Sequence, residues 1–159
     1  EITERDWSSD VCSSDLFRIT DAAIPGMAER GWGRVVTIGS SGILQPIAGL
    51  ALSNGVRGAV AGWSKTLAEE VAPLGITVNM VLPGRIATDR VEELDASKAA
   101  ETGKTIAETV AASKATIPMG RYGEPAEFAA AIAFLCSTQA SYITGSMLRV
   151  DGGLIRGLG

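Results

Sequence analysis

Histidine is absent from this 159-residue chain, and cysteine occurs only twice, at Cys12 and Cys136. Without imidazole, histidine acid–base chemistry, Cys–His nucleophilic pairs and ordinary zinc sites are excluded. Positive charge is also in deficit: 14 Lys and Arg face 18 Asp and Glu, for a net charge of −4. No broad positive field exists to hold phosphate backbones or anionic lipid, so neither nucleic acid nor a membrane surface is an expected partner. No apolar run approaches the roughly 18 residues of a spanning helix, and no basic-plus-apolar signal segment opens the sequence. A soluble, cytoplasmic protein is the expectation, with chemistry resting on Ser, Tyr, Lys, Arg or carboxylates. The content of 46% hydrophobic and 20% charged residues is that of an ordinary globular domain with a sizeable core.

The first sixteen residues differ from the rest. They contain a near-repeat, Ser8–Val11 (SSDV) and Ser13–Leu16 (SSDL), and show neither a 2.0 nor a 3.6 apolar period. The string DWSSDVCSSDL, Asp6–Leu16, resembles residue for residue the conceptual translation of a sequencing adapter joined in frame to a gene. Residues 1–16 are therefore expected to be a non-native leader; the other reading is a polar loop in which Ser14 or Asp15 caps the following helix.

From Phe17 onward helical and strand patterns alternate. Phe17–Arg30 reads as a helix weakened by Pro25 and Gly26, and Arg34–Gly39 (RVVTIG) as a buried strand. A Gly/Ser/Pro-bearing loop follows over Ser40–Leu50. Between Ser53 and Ala72, Val56, Val60, Trp63, Leu67 and Val71 form one helical stripe closed by Pro73. Ile76–Leu82 is a second buried strand, broken by Pro83-Gly84. Arg85–Thr116 is long and mostly polar, with a short helical pattern at Ile106/Val110, and is expected to be a mobile segment such as a lid. Pro125–Ser137 is an Ala-rich helix with Pro125 in its first turn, and Met147–Val150 a final strand. Such alternation implies an α/β fold with a parallel sheet covered on both faces.

Four stretches, RVVTIGSSG (Arg34–Gly42), WSKTLAEEVAPLGITVNMVLPGRIATD (Trp63–Asp89), IPMGRYGEPAE (Ile117–Glu127) and SYITGSMLRVDGG (Ser141–Gly153), together resemble the short-chain dehydrogenase/reductases, nearest the beta-ketoacyl carrier-protein reductase-like branch. The resemblance implies that residues 17–159 are the C-terminal part of one doubly wound Rossmann domain binding NAD or NADP. The family's opening strand, Gly-rich turn and helix would lie upstream, and its active-site Asn would fall at Cys12. It also implies that the strands at Arg34, Ile76 and Met147 are neighbours. The first would then carry an unpaired apolar edge, with instability or aggregation as the consequence.

In the family a Tyr, its pKa lowered by a Lys four residues later, passes the proton, and a Ser thirteen residues before the Tyr holds the carbonyl oxygen. The resemblance puts Ser53 at the Tyr position, Arg57 at the Lys position and Ser40 at the Ser position, with Ser41 as the fallback. Ser53 and Arg57 stand at i, i+4, so one helical face presents both. Two readings stay open: Ser53 orients a substrate oxygen while Arg57 grips the cofactor, or Ser53 caps the helix and Arg57 is a solvated charge. Ser40 is read as the oxygen-holding hydroxyl, against a turn hydroxyl satisfying nearby amides. Pro83, Gly84, Ile86 and Thr88 match the segment that lies along the nicotinamide and pyrophosphate. Asn79 is read as structural, and Arg90, Arg121 and Tyr122 as solvated charge and packing.

Gly55, Gly58, Ala59 and Gly62 let a second helix approach, and the resemblance implies a homodimer or homotetramer for the full-length parent protein. A small-molecule carbonyl or alcohol is the implied substrate. Three functions remain open at this stage: an NAD(P)-dependent oxidoreductase with an altered catalytic set, a non-catalytic dinucleotide-binding or structural relative, and an inactive segment of a longer enzyme.

Overall fold

A computed structural model describes residues 4–158, with side chains from Ser14 onward, so the position equated with the family's Asn, Cys12, lies outside the described side chains. The chain opens with helix α1 (Glu4–Glu29) and strand β1 (Gly33–Ile38), followed by a 3-10 turn over Ser41–Ile43. Helix α2 (Ala51–Val71) and a 3-10 turn at Ala72–Leu74 lead into β2 (Ile76–Pro83). Helices α3 (Asp89–Thr102), α4 (Ile106–Ala115) and α5 (Pro125–Leu135) precede β3 (Met147–Val150).

The three strands form one parallel sheet in the order β1-β2-β3. Its register sets Ile38 against Val81 and Pro83 against Val150, so all three strands run out at the same end. β2 is buried along its length to Leu82, as a central strand covered on both faces must be. Alternation divides its side chains. Ile76, Val78, Met80 and Leu82 pack under α1 and α2, against Met27, Leu67, Ala68, Val71, Phe17 and Trp63. Val81 points the other way, onto Leu135, Ala140, Phe128 and Ile132 of the α5 side. The α/β expectation, with helices on both faces of a parallel sheet, is met.

Two details of the expected secondary structure change. The polar-loop alternative for the opening residues does not hold: residues 4–16 are helical and continuous with Phe17–Glu29, although they lack an apolar period, and Leu16 and Phe17 at their end pack beneath Val60, Met80 and Leu82. The polar stretch after Arg85 is more helical than the short pattern at Ile106/Val110 predicts, holding the two helices α3 and α4. Their inward positions are Asp95 and Ala99 on one and Thr109 and Ser113 on the other, each pair four residues apart. The helical period is therefore present but written in polar and small residues. Thr105 and Glu108 close a reciprocal capping box at the start of α4, with the Glu108 carboxylate drawn below its usual pKa by its bonds to Thr105.

The turn into β2 rests on Gly75, whose φ is +75° and whose place for a Cβ lies 2.2 Å from the Gly31 carbonyl oxygen. Gly49 has a similar φ of +79° with open space around it. Gly49→Ala is expected to cost about 1 kcal/mol for the left-handed backbone alone. Gly75→Ala should cost at least about 2 kcal/mol more, because backbone must move. Urea unfolding of the two variants side by side checks this; equal losses would refute the steric role of Gly75.

Candidate active site

The ends of β1, β2 and β3 open into one cleft of about 540 Å³, lined by Ser40, Ser41, Ser53, Arg57, Pro83, Gly84 and Arg85 together with Ile47, Val91, Leu94, Leu154 and Ile155. Ser40 stands two residues beyond β1 and caps the 3-10 turn, its Oγ accepting from the Gly42 amide at 3.1 Å. That bond occupies a lone pair and leaves the hydroxyl proton to be donated elsewhere. The turn-stabilising role and a substrate-facing role are therefore compatible in one hydroxyl.

Ser53 lies within the first turn of α2, whose N-cap is Leu50, so the helix-cap alternative for Ser53 does not hold. Arg57, one turn further along, donates from Nη1 to the Ile38 carbonyl at 3.1 Å. It is not merely a solvated charge: it ties α2 to the end of β1 and holds a guanidinium at the cleft. Gly84 follows β2, its amide bonding to the Val150 carbonyl at 2.9 Å; a Cβ there would come within 2.6 Å of the Asp151 Cα. Glycine is required at this position by the close approach of the chain leaving β3.

Of the candidate site residues, Ser40, its fallback Ser41, Ser53, Arg57, Pro83 and Gly84 thus share the cleft. Ile86 instead lines a smaller adjoining cavity of about 100 Å³, where it bridges to Gly123. Thr88 is exposed at the start of α3, its hydroxyl donating to the Ile86 carbonyl at 3.3 Å. Asn79 is structural, its amide donating to the Ile143 carbonyl and its oxygen accepting from the Ser146 amide. Arg90 pairs with Glu93 on the surface, and Arg121 with Glu127, whose carboxyl that partner holds down at about 2.

Sequence reasoning missed a polar hub beside the cleft. Asp95, 1% exposed on α3, accepts from Arg85 Nη1 at 2.9 Å, Ser113 Oγ at 3.4 Å and Tyr122 Oη at 2.5 Å. A buried carboxylate is tolerated when it is paired and hydrogen-bonded in this way. The hub fastens α3 and α4 to the segment leaving β2. The signal available in the sequence was the pair of i, i+4 polar positions described above, which an apolar-period search passes over. Burial, reinforced by the bond to Asp95, raises the Tyr122 phenol above its usual pKa. That is opposite to what a proton-passing phenol needs, and Tyr122 lines a different cavity, between α3 and α4. The remaining tyrosine, Tyr142, is fully exposed.

A family model described as enoyl-(acyl carrier protein) reductase matches residues 1–155. The chain belongs to this short-chain dehydrogenase/reductase family. It is 38% identical over 154 residues to the 3-oxoacyl-[acyl-carrier-protein] reductase FabG of Vibrio cholerae, covering 95% of this chain and 58% of that one. Against the acetoacetyl-CoA reductase of Cupriavidus necator it is 35% identical over 159 residues, covering 99% of this chain and 60% of the relative. Among solved structures it superposes on YwfH, an NADPH-dependent reductase involved in bacilysin biosynthesis, with a TM-score of 0.87 at 30% identity, over 92% of this chain and 56% of that one. An actinorhodin polyketide ketoreductase solved with NADPH gives a TM-score of 0.83 at 34% identity, over 89% and 54%. The chain thus spans somewhat over half the length of the relatives it matches.

Replacing Asp95 by Ala strands Arg85 and Tyr122, and is expected to cost about 2–3 kcal/mol, toward the lower side for a buried pair because Arg85 is partly solvated. Asp95→Asn should also lower the Tyr122 titration toward the usual value of about 10 without reaching it, since burial remains. The sign follows: a raised native pKa gives stability that is complete below about pH 10 and lost as pH rises through the native value. Phenolate absorbance across an alkaline titration, with denaturant melts at neutral pH, checks both. An unmoved Tyr122 would remove the hub from the account.

Proposed function

We propose that the protein is an NAD(P)-dependent oxidoreductase of the 3-oxoacyl carrier-protein reductase-like kind, acting on a small-molecule carbonyl or alcohol as a cytoplasmic homodimer or homotetramer. The observation that carries this reading is the convergence of Ser40, Ser53, Arg57, Pro83 and Gly84 on one cleft beyond the carboxyl ends of three parallel strands, where ligands of open α/β sheets bind. The reductase activities of the FabG and acetoacetyl-CoA reductase relatives, the NADPH dependence of YwfH and the NADPH in the ketoreductase structure support it.

The cleft fits the nicotinamide and ribose end of a dinucleotide: it offers hydroxyl and guanidinium donors, and none of its lining residues is a carboxylate. Arg57 would hold ribose hydroxyls with the N–H groups left over from its bond to Ile38, and the Pro83–Thr88 segment would lie along the nicotinamide and pyrophosphate. When bound, the dinucleotide supplies or accepts the hydride. Ser40, one lone pair occupied by the Gly42 amide, would donate a hydrogen bond to the carbonyl oxygen, and Ser53 would orient the same oxygen from α2. An aliphatic hydroxyl is a weak acid and Arg keeps its proton, so these residues position and stabilise charge. Open space beside Gly55, Gly58 and Gly62 on α2 suits the proposed subunit contact.

A second reading is favoured by the absence of any Tyr or Lys from the cleft lining: a relative that binds the dinucleotide without turning it over. The test is NADPH absorbance with an acetoacetyl thioester, alongside calorimetric NADPH binding. Turnover that falls about 10²–10³-fold in Ser40→Ala, with KM little changed, is the expected result. Binding without turnover would select the second reading, and neither would defeat both.

A further inference from the structure

We infer that Arg85 is the specificity residue of this cleft and that it receives an anionic group, the free carboxylate of a short oxo acid, beside the carbonyl that Ser40 holds. The inference rests on the reading of the cleft as a reductase site and deepens it by naming a substrate class.

Arg85 directly follows Pro83-Gly84, at the outlet of the central strand, and lines both the main cleft and the small cavity next to it. Its main chain is fixed, because the carbonyl accepts from the Gly123 amide at 2.9 Å. Its side chain is fixed as well, because Nη1 is tied to Asp95, which Tyr122 and Ser113 hold in turn. A guanidinium has five N–H donors in a rigid planar fork, and the Asp95 bond uses one of them. Its side chain is 30% exposed, and a ligand would take the donors that Asp95 leaves.

The surroundings favour an anion. The protein carries an acidic excess, yet the cleft lining contains Arg57 and Arg85 and no Asp or Glu. Because Asp95 balances the charge of Arg85, recognition by this fork rests on directed hydrogen bonds, while Arg57 supplies the uncompensated positive charge. Paired N–H donors of this geometry match the two oxygens of a carboxylate. Val91, Leu94, Leu154 and Ile155 supply an apolar wall for a short acyl portion. The same fork also matches a phosphate oxygen pair of the dinucleotide, so the test must separate the two sources.

Purified protein is titrated with acetoacetate, its neutral methyl ester and inorganic pyrophosphate, following the Arg85 side-chain N–H and the Ser40 and Gly84 amides by NMR. Acetoacetate is expected to bind at least about tenfold more tightly than the ester, equivalent to about 1.4 kcal/mol, and to shift the Arg85 signal. The double variant Arg85→Gln/Asp95→Asn exchanges the ion pair for an amide pair and avoids a stranded carboxylate; it should lose most of the preference for the acid, keeping only what the charge of Arg57 contributes. Arg85→Lys keeps a cation opposite Asp95 and guards against a fold defect; it should lose at least about threefold in acetoacetate affinity with the ester unchanged. Equal binding of acid and ester by the unmodified protein, or an unaltered preference in either variant, overturns the inference. So does a shift of Arg85 by pyrophosphate but not by acetoacetate, which would assign the fork to the cofactor. None of these readouts is NADPH turnover: an enzyme that reduces neutral ketones but ignores the carboxylate would retain the proposed function and lose this inference.

Discussion

Burial of β2 on both faces is the constraint on which the remaining structure hangs. A strand whose residues are inaccessible from Ile76 to Leu82 must have its edges paired and both faces covered. β1 and β3 supply the pairing; α1 with α2, and α5 with the residues near Ala140, supply the cover. Parallel register then gives the sheet a single outlet, because Ile38 lies beside Val81 and Pro83 beside Val150. The chain leaves all three strands at one level, and the segments that leave are those that line the cleft. The site is a consequence of the sheet.

Two contacts stiffen that outlet in different ways. Arg57 links α2 to the Ile38 carbonyl, so the helix carrying Ser53 moves with β1. Arg85 and Asp95 link the outlet of β2 to α3, and Tyr122 and Ser113 extend the link to the loop before α5 and to α4. A polar cluster of this kind contributes little net stability over an apolar packing of equal volume, but it is geometrically demanding. It defines one placement of the α3–α4 pair beside the cleft.

The sheet was legible in sequence because its signal is apolar and continuous: RVVTIG and ITVNMVL announce strands, and the structure moves their boundaries by a residue or so. The α2 stripe was legible for the same reason, and Val60, Leu67 and Val71 are buried as that period requires. The α3–α4 pair was not, because Asp95, Thr109 and Ser113 occupy its inward positions and hydropathy reads them as surface. Thr105-x-x-Glu108 was the local clue to α4. Within the site, residues at strand ends were found through motif spacing, whereas Arg85 sits in a matched motif at a position where the family pattern assigned no role. Its importance arises from Asp95, ten residues away and joined to it only by folding.

The lack of a phenol in the cleft bears on how the oxygen is handled under the proposed function. Hydride delivery to a carbonyl leaves an alkoxide, a base strong enough to take a proton from water, whose pKa is about 15.7. A hydroxyl such as Ser40 or Ser53 needs only to steady that oxygen while the proton arrives. Oxidation of the alcohol passes through the same transition state in reverse, so the side chains set the height of one barrier and the equilibrium sets the direction. Neither serine nor arginine is a base poised near neutrality, and the pKa of Tyr122 is shifted the wrong way in a different cavity. What the two hydroxyls and two guanidiniums can meet is therefore the charge that develops on the oxygen, whatever the size of the acyl group beside it.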